Sequence, residues 1–299
     1  MRTITIVSGK GGTGKTTVSA LLAYLAAGET RAVVADCDVE ASNLPLVLRV
    51  APTTREPVAG MSRPVVDVDR CLGCGECVDA CRFDAMTVAE HAVIDPWSCE
   101  SCGGCVDACP VAAIGTEPCM VGEVIAGSGP TGVVVSARLL PGEDHSGKLV
   151  TAVRTRAMGA ARANGADLVL VDGPPGVGCP VIAAITGADQ VVAVVEPSVS
   201  GEHDLRRVVA LVEEMGVAVV VVLNKADLSD AGAHRIRAAC AELGVVLIGE
   251  IPFDSAVLPT LEAVARGATE PGALRRLAVA DPVQSIWQQV RSAPAAMMT

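Results

Sequence analysis

Eight cysteines fall in two runs of one spacing, Cys71-x2-Cys74-x2-Cys77-x3-Cys81 and Cys99-x2-Cys102-x2-Cys105-x3-Cys109, the second closed by Pro110. The runs form an internal repeat, CLGCGECVDAC against CESCGGCVDAC, offset by 28 residues. Such a repeat predicts two halves packed about a pseudo-two-fold axis. The spacing constrains the fold because the x2 gaps let three sulfurs converge on one iron–sulfur cluster while the fourth cysteine reaches the other. A zinc site needs only four ligands and leaves the x3 cysteine unexplained. Disulfides fit less well still: the chain opens on strand-like Thr3-Ile4-Thr5-Ile6-Val7 without a charged and apolar leader, so a cytoplasmic, reducing setting is expected.

The pattern resembles that of bacterial two-cluster ferredoxins, with two 4Fe-4S clusters. Cluster I is assigned to Cys71, Cys74, Cys77 and Cys109, and cluster II to Cys99, Cys102, Cys105 and Cys81. One departure stands out: the first run ends Cys81-Arg82, not Cys-Pro. A cation there could raise a reduction potential, although a solvated surface arginine is the plainer reading.

The cysteine segment takes about 50 of the 299 residues, leaving enough chain for one α/β domain with a full core. Hydrophobic residues make up 51% and aromatics 2%, so that core is built from Val, Leu, Ile and Ala. The longest apolar stretches, such as Val217 to Leu223, are far too short to span a bilayer and read as buried parallel strands. Between Val65 and Gly115 there are nine acids and two bases, a net −7 of the chain's −11. An acidic, aromatic-poor chain is a poor partner for nucleic acid and lacks a polybasic membrane anchor. The acidic segment favours the basic face of a redox partner, and plain solubility also accounts for it.

Outside that segment the chain alternates strands and helices. Thr3 to Ser8 leads into a glycine loop and an Ala/Leu-rich helix to about Ala27, and Ala32 to Ala35 ends in Asp36-Cys37-Asp38. Pro52, Pro57, Gly60 and Pro64 read as a polar linker, and Met120 to Leu140 as a strand or hairpin returning to the main domain. Strands follow at Leu168–Val171, Val191–Val195, Val217–Leu223 and Val245–Ile248. The expected fold class is α/β: a P-loop NTPase-type, mostly parallel sheet with helices on both faces and an inserted small α+β ferredoxin-like domain. The expected bounds are 1–64 and 116–299 for the main domain and 65–115 for the insert.

The segment Gly9-Lys10-Gly11-Gly12-Thr13-Gly14-Lys15-Thr16, followed by Thr17, matches G-x4-G-K-T between a strand and a helix. Its backbone N–H groups would cradle phosphates, Lys15 would reach the β and γ oxygens, and Thr16 would bind Mg²⁺. With Lys10 included, the loop is the deviant Walker motif, and the chain resembles the MinD, ParA, Mrp and nitrogenase iron protein group of ATPases. The resemblance implies Mg-ATP sandwiched in a nucleotide-dependent homodimer, with Lys10 acting on the partner's nucleotide. It further implies a first switch at Asp36 and Asp38, with Asp38 on the attacking water and Asp36 nearer the metal. Asp172-Gly173-Pro174-Pro175-Gly176 resembles the second switch, Asp172 holding Mg²⁺ through water.

Asn224-Lys225-Ala226-Asp227 reads literally as the guanine-selecting N-K-x-D, whereas in the MinD-like group an Asn at this strand end contacts adenine and the Pro252-Phe253 segment flanks the base. Lys10 tips the reading toward ATP over GTP. Phe253 could stack near the base or plug the core. Cys37, Cys119, Cys179 and Cys240 read as small buried hydrophobes, with Cys179 the one candidate redox reporter. His91, His145, His203 and His234 form no ligand-like pair, Ser146 reads as a helix cap, and Pro282 to Arg291 is weakly amphipathic. Three functions follow: an ATP-driven electron carrier with an unidentified redox partner protein; a cluster-assembly or maturation factor serving an apo-acceptor; and a redox-sensing nucleotide switch or scaffold. Eight chelating ligands argue against easy cluster release.

Overall fold

A computed structural model describes residues 1–143 and 146–292. The chain divides into two compact units, one of Met1–Glu56 with the chain from Gly122 onward, the other Pro57–Val121. The second is wider than the 65–115 segment expected from the cysteines.

The first unit opens with β1 (Arg2–Ser8), α1 (Lys15–Ala27), β2 (Ala32–Asp36), α2 (Leu44–Val47) and β3 (Ala51–Val66), which runs on into the second unit. There follow α3 (Glu76–Asp79), β4 (Met86–Val88), β5 (Ala92–Ile94) and α4 (Gly104–Ala108), before β6 (Ile114–Gly129) returns to the first. The first unit then continues with β7 (Gly132–Leu139), α5 (Ser146–Ala163), β8 (Leu168–Pro175), α6 (Cys179–Ile185), β9 (Gln190–Val195) and α7 (Val199–Glu214). Its last elements are β10 (Ala218–Asn224), α8 (Asp230–Leu243), β11 (Val246–Ile251), α9 (Val257–Ala265) and α10 (Ala280–Ser292).

Among the described residues one sheet has the order β11-β10-β9-β1-β8-β2-β7-β6-β3. Neighbours from β11 to β7 pair in parallel, and β6 pairs antiparallel with β7. Parallel pairing puts the carboxyl ends of β1, β2, β8, β9, β10 and β11 on one edge, where ligands of such sheets bind. The Pro52 to Pro64 stretch is not a linker but strand β3, the outermost of the sheet. Proline lacks a ladder donor, and an edge strand tolerates that loss.

Both faces of β1 are covered. Ile4 and Ile6 join a core with Leu22, Leu261 and Trp287, while Val7 joins the opposite core with Ile185, Leu205 and Val208. Val283, Ile286, Trp287 and Val290 of α10 are all buried, each contributing roughly 1.5–3 kcal/mol. The weak amphipathic signal there marks a core helix. Among the described residues no helix is long and apolar enough to cross a membrane.

In the second unit β4 and β5 form an antiparallel pair, and the buried cluster consists of Cys77, Met86, Ala92, Cys105 and Ile114. Left-handed residues recur here at the 28-residue offset: Gly73 (φ 64°) with Ser101 (54°), Gly75 (87°) with Gly103 (82°), and Asp84 (52°) with Ala112 (49°). A non-glycine residue in this region costs roughly 1–2 kcal/mol, so the surroundings impose the shape at Ser101, Asp84 and Ala112. The sequence repeat is thus also a backbone repeat.

Candidate functional site

Strand β1 delivers the glycine loop to the carboxyl edge. Gly14 has φ 89° and lies so close to Asn224 that a Cβ would sit 2.2 Å from its Nδ2, so no other residue fits. Two side chains from the end of β10 brace the loop: Asn224 Nδ2 donates to the Thr13 carbonyl and Lys225 Nζ to the Gly12 carbonyl, both at 2.7 Å. Helix α1 starts at Lys15, leaving its first N–H groups at the loop for an anion.

Three carboxylates gather about Lys15. Its Nζ donates to Asp172 Oδ1 at 2.8 Å and lies 3.5 Å from Asp38 Oδ2. Thr16 Oγ1 donates to Asp172 Oδ2 (2.9 Å) and Ser19 Oγ to Asp172 Oδ1 (2.7 Å). Burial opposes the Lys15 charge, but Asp172, then Asp38 and Asp36, outweigh it and hold the ammonium above its usual range. Asp36 is fully buried; burial first, then repulsion from Asp172, raises its pKa. Its oxygens accept from Ser42 Oγ (2.8 Å), Asp38 N (3.1 Å) and Leu44 N (3.2 Å). Burial likewise raises Asp38, with Lys15 opposing the shift. Thr16 and Asp172 at the foot of the loop suit a hard cation completed by phosphate and water, since Mg²⁺ takes one or two carboxylates with substrate phosphates.

Lys10 points elsewhere. Its Nζ lies 2.6 Å from Glu196 Oε1 and donates to Ser200 Oγ (2.8 Å) and Ser198 Oγ (3.3 Å). Glu196 also holds Lys225 at 3.2 Å, so one carboxylate ties two lysines of the site together. Burial opposes the Glu196 charge, but the two lysines prevail and hold its carboxyl below the usual range. Glu196, Ser198, Ser200, Ser19 and Ser42 were not found from sequence. Only Ser19 had a usable signal, lying one helical turn beyond Thr16.

Beside the loop lies a mostly apolar, open cavity lined by Gly12, Thr17, Leu21, Asn224, Pro252 and Phe253 among others. Phe253 is half exposed on its wall, and Asp227 Oδ1 accepts the Phe253 N–H at 2.6 Å. Gly9 and Gly11 complete the loop; a Cβ on Gly9 would meet Asp204 at 2.3 Å.

The cysteines make a second constellation. Cys71, Cys74, Cys77 and Cys109 line one small pocket with Leu72, Val88, Ala92 and Ile114. Cys105 feels the nearby Cys99 and Cys102, and after burial these raise its pKa. Cys81 follows α3, which packs against α4. Backbone N–H groups donate to sulfur at Cys71 (from Ala92, 3.3 Å), Cys81 (from Ala85, 3.3 Å) and Cys109 (from Ala113, 3.2 Å). That of Ala113 leads the causes that lower the Cys109 pKa. Among the described residues no three Cys, His, Asp or Glu side chains are spaced to hold a single metal ion. A four-iron cluster makes a different demand, since each cysteine ligates its own iron, and all-sulfur donors with N–H groups aimed at them suit that group.

Comparison with known proteins fits this geometry. The CobQ/CobB/MinD/ParA nucleotide binding domain matches residues 4–267. The chain belongs to that family. It is similar to the uncharacterized protein MJ0578 of Methanocaldococcus jannaschii, 35% identical over 228 residues, covering 76% of this chain and 79% of the relative. The uncharacterized ATP-binding protein MJ0547 of that organism is 24% identical over 84% of this chain and 74% of its own. In fold, the chain is similar to the MinD cell division protein of Aquifex aeolicus (TM-score 0.57, 21% identity, all of both chains). It is also similar to the septum site-determining protein MinD with Mg-ADP from Pyrococcus horikoshii (0.55, 20%, 97% and 96% of the chains).

Of the remaining cysteines, Cys37 is wholly buried, and burial pushes its thiol up; Cys240 is buried too, its thiol pushed up to about 11 by burial. Cys179 is exposed at the start of α6, and Cys119 Sγ lies 3.7 Å from the Met120 carbonyl. Ser146, the expected cap, is the first residue of α5 and buried. His145 lies outside the described residues.

Proposed function

We propose that this protein is a MinD-like ATPase that couples nucleotide state to electron transfer through two 4Fe-4S clusters. The observation that carries the reading is the gathering of Asp36, Asp38 and Asp172 about Lys15 at the foot of the glycine loop. On nucleotide binding Lys15 would exchange Asp172 for the β and γ oxygens, and Thr16 and Asp172, with Asp36 nearby, would hold the Mg²⁺ that offsets phosphate charge. Asp38, part-exposed, orients a water whose oxygen attacks the γ-phosphorus. The bond to the β–γ bridging oxygen breaks, and ADP and phosphate leave. Lys10 leaves Glu196 and its serines for the partner's nucleotide in a homodimer. The base enters the cavity between Asn224 and Phe253, and ATP is favoured over GTP because Asp227 is already engaged by the Phe253 N–H.

In the second unit Cys71, Cys74, Cys77 and Cys109 would hold one cluster and Cys99, Cys102, Cys105 and Cys81 the other. When bound, each cluster would accept and release one electron at low potential. A redox partner in the cytoplasm is the expected acceptor. The test is anaerobic purification, phosphate release with ATP and GTP, and EPR-monitored potentials after dithionite reduction with and without Mg-ATP. We expect ATP hydrolysis exceeding GTP hydrolysis and a nucleotide-dependent change in potential. Absence of hydrolysis overturns the ATPase reading, and potentials indifferent to nucleotide overturn the coupling.

A further inference from the structure

The pseudo-two-fold of the second unit is broken in the backbone N–H groups its cysteine sulfurs accept. Ala85 N–H donates to Cys81 and Ala113 N–H to Cys109, and these alanines are 28 residues apart, as are their cysteines. Ala92 N–H donates to Cys71, but the position 28 residues on from Ala92 is Met120, in strand β6. Among the described residues no backbone N–H donates to Cys99. The cause is local. Between the two cysteine runs the chain folds into the β4–β5 hairpin, which brings Ala92 to the wall lined by Cys71 and Val88. After the second run it leaves along β6 instead.

We propose that the two 4Fe-4S centres have unequal reduction potentials, the one on Cys71, Cys74, Cys77 and Cys109 being reduced first because Ala92 supplies it an extra N–H. The inference rests on the two-cluster reading above. Reduction adds one negative charge, and an N–H dipole aimed at a ligand sulfur stabilises the reduced form more than the oxidised one. The opposing candidate is Arg82, next to Cys81, but it is exposed, so solvent and salt screen its charge. Within the runs themselves each set has one unmatched acid: Glu100 stands where the first run has Leu72, and Glu76 where the second has Gly104.

The test uses the full-length chain reconstituted with iron and sulfide. About eight iron atoms per chain supports the two-cluster reading, and fewer overturns both it and the inference resting on it. Dithionite then supplies one electron to each centre while EPR follows the titration. We expect two separate one-electron steps. Ala92→Pro, which removes that donor, should move the first step to lower potential and leave the second in place. A single coincident step in the parent protein, or an Ala92→Pro variant with full iron and an unmoved first step, overturns the proposal. If the proline variant fails to load, ENDOR of the half-reduced parent after deuterium exchange decides. More exchangeable deuterons coupled to the first-reduced centre support the proposal, and an equal number on the two centres overturns it.

Discussion

The two units of this chain are held together by different means. The first has cores on both faces of its sheet, with Ile4, Leu22, Leu170, Trp287 and Ile236 essentially inaccessible, and its site is braced by side chains such as Asn224 and Lys225. The second has five buried side chains in its cluster, two of them the cysteines Cys77 and Cys105, while Trp97 is 83% and Leu72 70% exposed. Hydrophobic burial supports the first unit without help. The second is small and has cysteines in its core, so we expect its order to depend on those cysteines more than the first unit's does.

The sharpest test of that contrast is Cys77→Ala. It should remove about half of the bound iron and make Pro57–Val121 sensitive to protease, while ATP binding and the main thermal transition persist. Parallel loss of ATP binding, measured by calorimetry, would break the contrast. Trp287→Ala should do the reverse, destabilising the first unit by about 3–5 kcal/mol in denaturant titration with iron content unchanged. Lys15→Ala should lower ATP hydrolysis by about 10²–10³-fold, with iron and EPR signals retained, because it removes a charge needed at the developing phosphate oxygens.

The smallest effect concerns Glu29, which accepts from Trp287 Nε1 at 3.0 Å and pairs with Arg291. The Trp287 hydrogen bond, with Arg291 adding to it, holds its carboxyl below the usual range. A lowered folded pKa means stability present above the unfolded value and lost as pH falls through the folded one. Glu29→Gln should therefore cost up to ~1 kcal/mol at neutral pH and little in acid, read from melts of the first unit at both pH values.

Much of the first unit was legible in the chain because its signals are local: apolar runs bounded by turn residues for β1, β2, β8 and β10, and a loop whose glycines, Lys15 and Thr16 are contiguous. Strand β3 was misread. Its prolines and Gly60 carry a true local signal for a break, and pairing at the edge of the sheet overrides it. Within the site, the early lysine was legible but its partner was not: Glu196 lies immediately after β9 and meets Lys10 only because β9 pairs beside β1.

Motifs encoded at short spacing, the phosphate loop and the repeated cysteine runs, could be read from the chain alone, because the backbone shape of a few contiguous residues is set locally. Which of several carboxylates meets Lys15 could not, since Asp172 lies 157 residues away and arrives only through the parallel pairing of β1 with β8. The same holds for Ala92 and Cys71: the cysteines repeat in sequence, yet the hairpin between the runs places an N–H on one set and leaves the other without it. Spacing set the cysteine pattern, and long-range hydrogen bonding chose what surrounds it.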